Sequence, residues 1–203
     1  YKRQRMKSAG KALPHCEIKI VNENGEEVNK REVGEIIVKT TSNMIGYWNL
    51  PNETKKTLKQ GWLYTGDAGY MDEDGYVYVH DRVKDMIVSG GENVYPAEVE
   101  SAIFSHEMVS DVAVIGVPDQ KWGEAVKALV VLKDNCKTSE EDIINFAKQR
   151  IAGFKTPKSV EFIDELPRNP SGKILKKELR KPYWQGLELS LIHISEPTRL
   201  GAL

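Results

Sequence analysis

The stretch DRVKDMIVSGGENVYPAEVE, residues 81–100, decides how the rest of the chain is read. Asp81, Arg82, Lys84 and Asp85 alternate charge, Met86, Ile87 and Val88 form a short apolar run, Ser89-Gly90-Gly91 breaks it, and Tyr95-Pro96 opens a helix. Gly90 and Gly91 lack a Cβ, so they take positive φ and offer bare backbone amides to a ligand or a neighbouring strand. Taken alone, the pair also suits a hairpin or bulge between two strands. Pro96 fits the first helical turn, where its missing N–H costs nothing, and Glu98 and Glu100 lie where the helix dipole favours acid.

Working outward toward the N-terminus, residues 16–38 read as strands, EIKIV and GEIIVKT around the polar turn NENGEEV. The segment MIGYWN, residues 44–49, reads as a packed strand end, with an aromatic binding platform as the alternative, and residues 52–59 as a short helix. Two runs of β-formers flank Asp72-Glu73-Asp74-Gly75, the composition of a tight hairpin turn. Before that hairpin comes Tyr64-Thr65-Gly66-Asp67. The Asp67 carboxylate has the lone pairs to accept two hydrogen bonds from a vicinal diol, although spacing alone favours a turn-capping role.

Working outward toward the C-terminus, the pattern turns to mixed α and β, which places a domain boundary between Arg82 and Asp85. Residues 96–105 predict a helix with Val99, Ala102 and Ile103 on one face. DVAVIGV, residues 111–117, is apolar on both faces and reads as a buried strand, followed by a second strand at 126–132. Ser139 with Asp142 predicts a capped helix running to about Ile151, and residues 159–163 a further strand. The loop LPRNPSGK, residues 166–173, ends on a lysine, and Lys176, Lys177, Arg180 and Lys181 read as a solvated helix face. The fold class is therefore α+β: a β-rich part over 1–82, a small α+β domain over 83–188, and a tail over 189–203. That tail, LSLIHISEPTRLGAL, is similar to vector read-through, so His193 and Ser195 are not read as catalytic.

The composition narrows the function. At 203 residues with 29 basic and 30 acidic side chains, the chain can build a sizeable core and has no charge excess to recruit nucleic acid or an anionic membrane. Its apolar runs are too short to span a bilayer, which is still compatible with peripheral membrane association. Cys16 and Cys136 stand far apart without CxxC spacing, so a reducing cytoplasm is the expected compartment. His15, His80, His106 and His193 are scattered, which offers no metal-ligand cluster. There is no GxSxG elbow, and Ser171-Gly172-Lys173 lacks both the upstream glycine and the following Ser or Thr of a P-loop.

What remains is an ordered set: GEIIVKTTSNMIGYW (34–48), YTGD (64–67), the opening stretch, FKTPK (154–158) and PRNPSGKI (167–174). In this order the set resembles the C-terminal part of the adenylate-forming (AMP-binding) enzymes, the superfamily of acyl-CoA synthetases, adenylation domains and beetle luciferases. The resemblance extends over about residues 8–184. It implies that 1–82 is the β-rich end of the large AMP-binding domain and 83–188 the small C-terminal domain. It also implies two half-reactions: a carboxylate attacks the α-phosphorus of ATP to give acyl-AMP and pyrophosphate, and the thiol of coenzyme A then displaces AMP.

By the same resemblance, Asp67 binds both ribose hydroxyls and Arg82 contacts ribose and phosphate. Lys173 is the catalytic lysine of adenylation, an ammonium on a mobile loop bridging α-phosphate and carboxylate. Lys84 is the hinge about which the small domain rotates. Gly90, Gly91 and Glu92 line the pantetheine tunnel. Trp122, Phe154 and Lys158 contact coenzyme A in some relatives, with core packing an equal reading for Trp122 and Phe154. The cofactors implied are ATP, coenzyme A and Mg2+, whose ligands are expected upstream of Tyr1. On that expectation the chain alone does not adenylate. The implied activity is that of a fatty-acid (medium- or long-chain acyl) CoA ligase. An aryl-CoA ligase, an amino-acid adenylation domain and a non-catalytic nucleotide or CoA-binding module stay open as alternatives.

Overall fold

A computed structural model describes residues 6–185, which leaves the vector-like tail at 189–203, with His193 and Ser195, outside the described residues. The chain divides into two compact units, Tyr1–Met86 and Ile87–Leu203. Together they give a mixed α+β architecture in which strands predominate.

The first unit is an antiparallel sheet. Its strands are β1 (Cys16–Val21), β2 (Gly34–Thr40), β3 (Leu58–Lys59), β4 (Trp62–Met71) and β5 (Val77–Arg82), in the order β1-β2-β4-β3, with β5 also pairing β4. Period-2 alternation turns Ile20, Ile36 and Val77 into a small core, with Ile18, Val38 and Met71 packed against it. The Asp72–Gly75 turn forms as expected. Asp72 Oδ1 accepts hydrogen bonds from the amides of Asp74 and Tyr76, and Gly75 takes φ +82°.

Two expectations for this unit fail. The helix α1 (Pro51–Thr57) stops short of Lys59, because Leu58 and Lys59 pair with Leu63 and Trp62 as β3. MIGYWN is no packed strand end: β2 finishes at Thr40, and Ile45 and Trp48 are 101% and 90% exposed. The loop is held by Thr54, whose Oγ1 accepts from the Tyr47 amide and donates to the Leu50 carbonyl, each at 2.9 Å. That local clasp turns the apolar side chains outward.

The second unit begins with the hairpin β6 (Ile87–Ser89) and β7 (Glu92–Val94), whose two-residue turn is Gly90-Gly91 at φ +63° and +85°. Both central residues at positive φ is the turn type that matches strand twist, so the glycines satisfy the structural reading outright. Next come α2 (Pro96–Phe104), β8 (Val109–Asp119), β9 (Gly123–Leu132), α3 (Glu140–Lys148), β10 (Ser159–Phe162) and α4 (Lys176–Trp184). The sheet runs β10-β9-β6-β7, with β8 antiparallel along β9 and β10 parallel to it across α3.

Alternation along β8 explains why it is buried on both faces. Val112 and Val114 enter one cluster with Val99 and Ile103 of α2 and Ile143 and Ala147 of α3. Ala113 and Ile115 enter another with Leu129, Leu166, Ile174, Leu179 and Tyr183. One face of the sheet thus carries α2 and α3, and the other carries α4 and the segment before it. Helix α3 has the expected capping box between Ser139 and Asp142, but it ends at Lys148, short of Ile151.

Helix α4 is fastened along its length, which corrects the reading of Lys176 as part of a solvated face, while Lys177 and Lys181 are exposed as that reading expects. Lys176 is only 14% exposed and pairs with Glu100 at 2.7 Å, while Glu100 also accepts from the Val114 amide. At the other end Trp184 Nε1 donates to the Gly116 carbonyl, and Tyr183 donates to Glu161, which in turn pairs with Lys127. Burial, reinforced by the Glu161 hydrogen bond, pushes the Tyr183 phenol up to about 12. A raised pKa means that the stabilisation is complete below the unfolded value of about 10 and is lost as pH rises through about 12. An ultraviolet titration should therefore show one late-ionising tyrosine, with α4 loosening over the same interval. In Glu161→Gln that tyrosine should ionise earlier.

Candidate functional site

Each unit carries its own polar cluster. In the first, Asp67 and Arg82 are register partners across β4 and β5, joined by an ion pair of 3.0 Å between Arg82 Nε and Asp67 Oδ1. The strand before them is bent into place by polar contacts. Thr65 Oγ1 donates to the Ile36 carbonyl at 2.7 Å and accepts from the Asp67 amide, and Gly66 at φ +71° gives its amide to Glu35. Arg82 also reaches the Thr65 carbonyl at 3.3 Å. Asp67 therefore stands within a strand and is ion-paired; it does not cap a turn. Both side chains are more than a third exposed, at 37% and 42%, so their pairing is worth little to stability and leaves Asp67 Oδ2 and the guanidinium edge open to a polar ligand. Lys84 is exposed in the 3-10 turn Val83–Asp85 that ends this unit's ordered path.

In the second unit the Gly90-Gly91 turn meets Trp122. The Gly90 amide donates to the Trp122 carbonyl at 2.9 Å, and a Cβ at Gly90 would come within 2.6 Å of the indole. Asp119 Oδ1 fixes the indole's own turn by accepting from the amides of Lys121 and Trp122. Trp122 is 40% exposed, with Lys121 Nζ 4.6 Å and Lys158 Nζ 6.0 Å from its ring centre. Phe154, 42% exposed, sits in the 3-10 turn Gly153–Lys155, which lies against β7. Core packing is thus not the role of either aromatic. A flat exposed indole flanked by ammonium groups suits a planar, anionic ligand.

Two partners of this patch escaped the sequence reading. Lys155 pairs with both carboxylate oxygens of Glu98, at 2.6 and 2.8 Å, and so ties the Phe154 turn to the start of α2. Glu124 accepts from the Val88 amide at 3.2 Å beside Gly116, holding β6 to β9; burial raises its pKa, opposed by that amide and by Arg180. Neither has a local signature, because each acts on an amide or ammonium distant in sequence.

Lys173 is exposed at the end of a tight turn in which Asn169 Oδ1 accepts from the amides of Ser171 and Lys173. The turn is therefore closed by its own hydrogen bonds. Among the described residues no group of three or more His, Cys, Asp or Glu gathers to hold a metal ion, and no helix is long and apolar enough to cross a membrane.

The family model for AMP-binding enzymes matches residues 1–48, and that for the AMP-binding enzyme C-terminal domain matches residues 98–173. The chain belongs to the adenylate-forming, AMP-binding superfamily. Among family members it is 52% identical over 157 residues to a long-chain-fatty-acid–CoA ligase of Bacillus subtilis, covering 77% of this chain and 28% of that protein. It is 47% identical to the fatty acid–[acyl-carrier-protein] ligase ScoC of Streptomyces coeruleorubidus, covering 88% of this chain and 34% of that one. It also overlays the o-succinylbenzoate CoA synthetase of Bacillus subtilis, solved with its acyl-adenylate intermediate, at TM-score 0.82 and 42% identity, covering 88% of this chain and 36% of that chain. The chain thus spans about a third of the length of the family members it matches.

Proposed function

We propose that this chain supplies the nucleotide-contacting end and the mobile-step residues of an AMP-forming acid–thiol ligase that acts on a fatty acid and coenzyme A. The observation that carries the proposal is Lys173: an exposed ammonium at the end of a backbone-fixed turn, in the unit that also bears the Trp122 patch. In the first step a carboxylate oxygen bonds to the α-phosphorus of ATP, and the bond to pyrophosphate breaks. Asp67 accepts from the ribose hydroxyls, Arg82 contacts ribose and phosphate, and Lys173 offsets the charge that builds on the α-phosphate and the attacking oxygen.

In the second step the coenzyme A sulfur bonds to the acyl carbon, AMP leaves with the bonding electrons, and the thiol proton passes to solvent. Gly90, Gly91 and Glu92 line the path of the pantetheine arm, while Trp122, Phe154 and Lys158 receive the nucleotide end of coenzyme A. Lys84 is the hinge residue between the steps. The Mg2+ of this chemistry would enter with the phosphates of ATP. A cytoplasmic setting, with a small carboxylic acid, ATP and coenzyme A as partners, belongs to the same proposal.

The fatty-acid assignment is favoured by two of the relatives above, one acting with coenzyme A and one with a carrier protein. The test is to let this chain replace the matching third of the Bacillus subtilis fatty-acid ligase and to assay a panel of hexadecanoate, octanoate, ferulate and benzoate. Acyl-AMP and acyl-CoA should form with the fatty acids, and Asp67→Ala should raise the KM for ATP by about tenfold, the loss of two charge-assisted hydrogen bonds partly replaced by water. A hybrid that folds and forms neither product would refute the reading and favour a non-catalytic binding module.

A further inference from the structure

The turn that carries Lys173 is far more bonded than a flexible loop of its composition requires. Asn169 Oδ1 accepts from the Ser171 amide at 3.1 Å, the Ser171 hydroxyl at 2.8 Å and the Lys173 amide at 2.8 Å. The Asn169 amide donates to the Lys173 carbonyl at 2.9 Å, and the Gly172 amide donates to the Asn169 carbonyl at 2.9 Å. Below the turn, Leu175 gives its amide to Pro167, and Arg168 and Ile174 bridge antiparallel. Arg168 then closes the structure by donating both to the Gly172 carbonyl at 2.6 Å and to the Asp111 carboxylate on β8. Leu166 and Ile174 seat the base in the apolar cluster over Ala113, Ile115 and Leu129.

This arrangement fixes the backbone of Lys173 and leaves only its four-carbon stem free. An asparagine is the residue that does this, since one side-chain carbonyl can accept from amides two and four positions on while its own backbone N–H and C=O close the ring. Arg168 adds a second anchor with a planar fork that spans a carbonyl and a carboxylate at once. We propose that Asn169, backed by the Arg168–Asp111 clasp, is the positioning residue of the Lys173 ammonium. The inference rests on Lys173 being the adenylation lysine. Asn169 touches no reacting atom; it sets where the stem begins, and a misplaced starting point spreads the ammonium over positions that do not meet the α-phosphate.

Two readouts test it. In the present chain the Lys173 amide should exchange slowly with deuterium. Asn169→Ala should speed its exchange by about tenfold, the equivalent of one lost hydrogen bond. Asn169→Asp, which keeps an acceptor oxygen at the same reach, should restore the protection, and the amides of Val114 and Val160 should not change in either variant. In the hybrid ligase, Asn169→Ala should lower kcat of acyl-AMP formation by about tenfold with an unchanged KM for ATP and an unchanged thioester step. The inference is overturned if Asn169→Ala leaves Lys173 exchange unaltered, or if protection is lost and adenylation persists at full rate. A Lys173→Ala hybrid that adenylates normally would instead sink the role of the lysine itself, which keeps the two failures apart.

Discussion

Lys173→Ala in the hybrid ligase is expected to reduce acyl-AMP formation by about 100- to 1,000-fold while leaving acyl transfer from pre-made acyl-AMP to coenzyme A within about twofold. The size follows from electrostatics in a water-poor site, where one preorganised cation aimed at developing charge is worth several kcal/mol. The selectivity follows from the hinge role proposed for Lys84: charge builds on the α-phosphate in both steps, but rotation between them would take Lys173 away from the phosphate before AMP leaves. Two nearby cations are already committed and cannot substitute: Arg168 is held by Asp111 and the Gly172 carbonyl, and Lys176 is sunk against Glu100. Rapid quench with labelled ATP measures the first step, and thioester formation from synthetic acyl-AMP measures the second. Equal loss of both would show that Lys173 acts through folding and not through charge.

Gly90→Val should give the opposite selectivity. Its φ of +63° lies in the left-handed region, which costs a β-branched residue about 1–2 kcal/mol. The new side chain would also start 2.6 Å from the Trp122 ring, so the indole has to move. Thioester formation is expected to fall by about 10- to 100-fold through displacement of the proposed coenzyme A platform, with adenylation held within about threefold. Gly75→Ala is the control for backbone strain. It shares the positive φ, at +82°, but meets no atom within 4 Å and lies outside the coenzyme A patch, so it should lower thermal stability slightly and leave the thioester step nearly intact. Comparable losses in both variants would place the effect in backbone strain and free Trp122 from any role.

The parts of the fold that could be read in advance are those written in a few adjacent residues. The capping box of Ser139 and Asp142, the Asp72–Gly75 turn, Pro96 opening α2 and the two-faced burial of β8 each follow from a local rule. The missed features depend on partners far along the chain. Lys176 looks like a surface cation until Glu100 arrives from α2 to neutralise it, and Leu58-Lys59 is helical by composition until Leu63 and Trp62 offer a strand to pair with.

The apolar MIGYWN loop fails for another reason. Thr54 shapes it locally, and hydrophobicity alone does not say which way a clasped loop faces. For the candidate site, the sequence order pointed to Asp67, Arg82, Gly90 and Lys173. It was blind to Asn169, to Glu124 and to the pairing of Glu98 with Lys155, whose work is to hold other residues in place.

In the proposed function the ribose of AMP and coenzyme A are received by separate sets of residues in separate units, Lys173 alone of the second unit reaching the nucleotide's phosphate. This separation underlies both selective variants. It is tested most directly by backbone and side-chain amide spectra of this chain during titration with each ligand at millimolar concentration. AMP should shift Thr65, Gly66, Asp67 and Arg82, and coenzyme A should shift Gly90, Gly91, Glu92, Trp122, Phe154 and Lys158, with little overlap. Identical shifts for the two ligands, or shifts that avoid both sets, would contradict it.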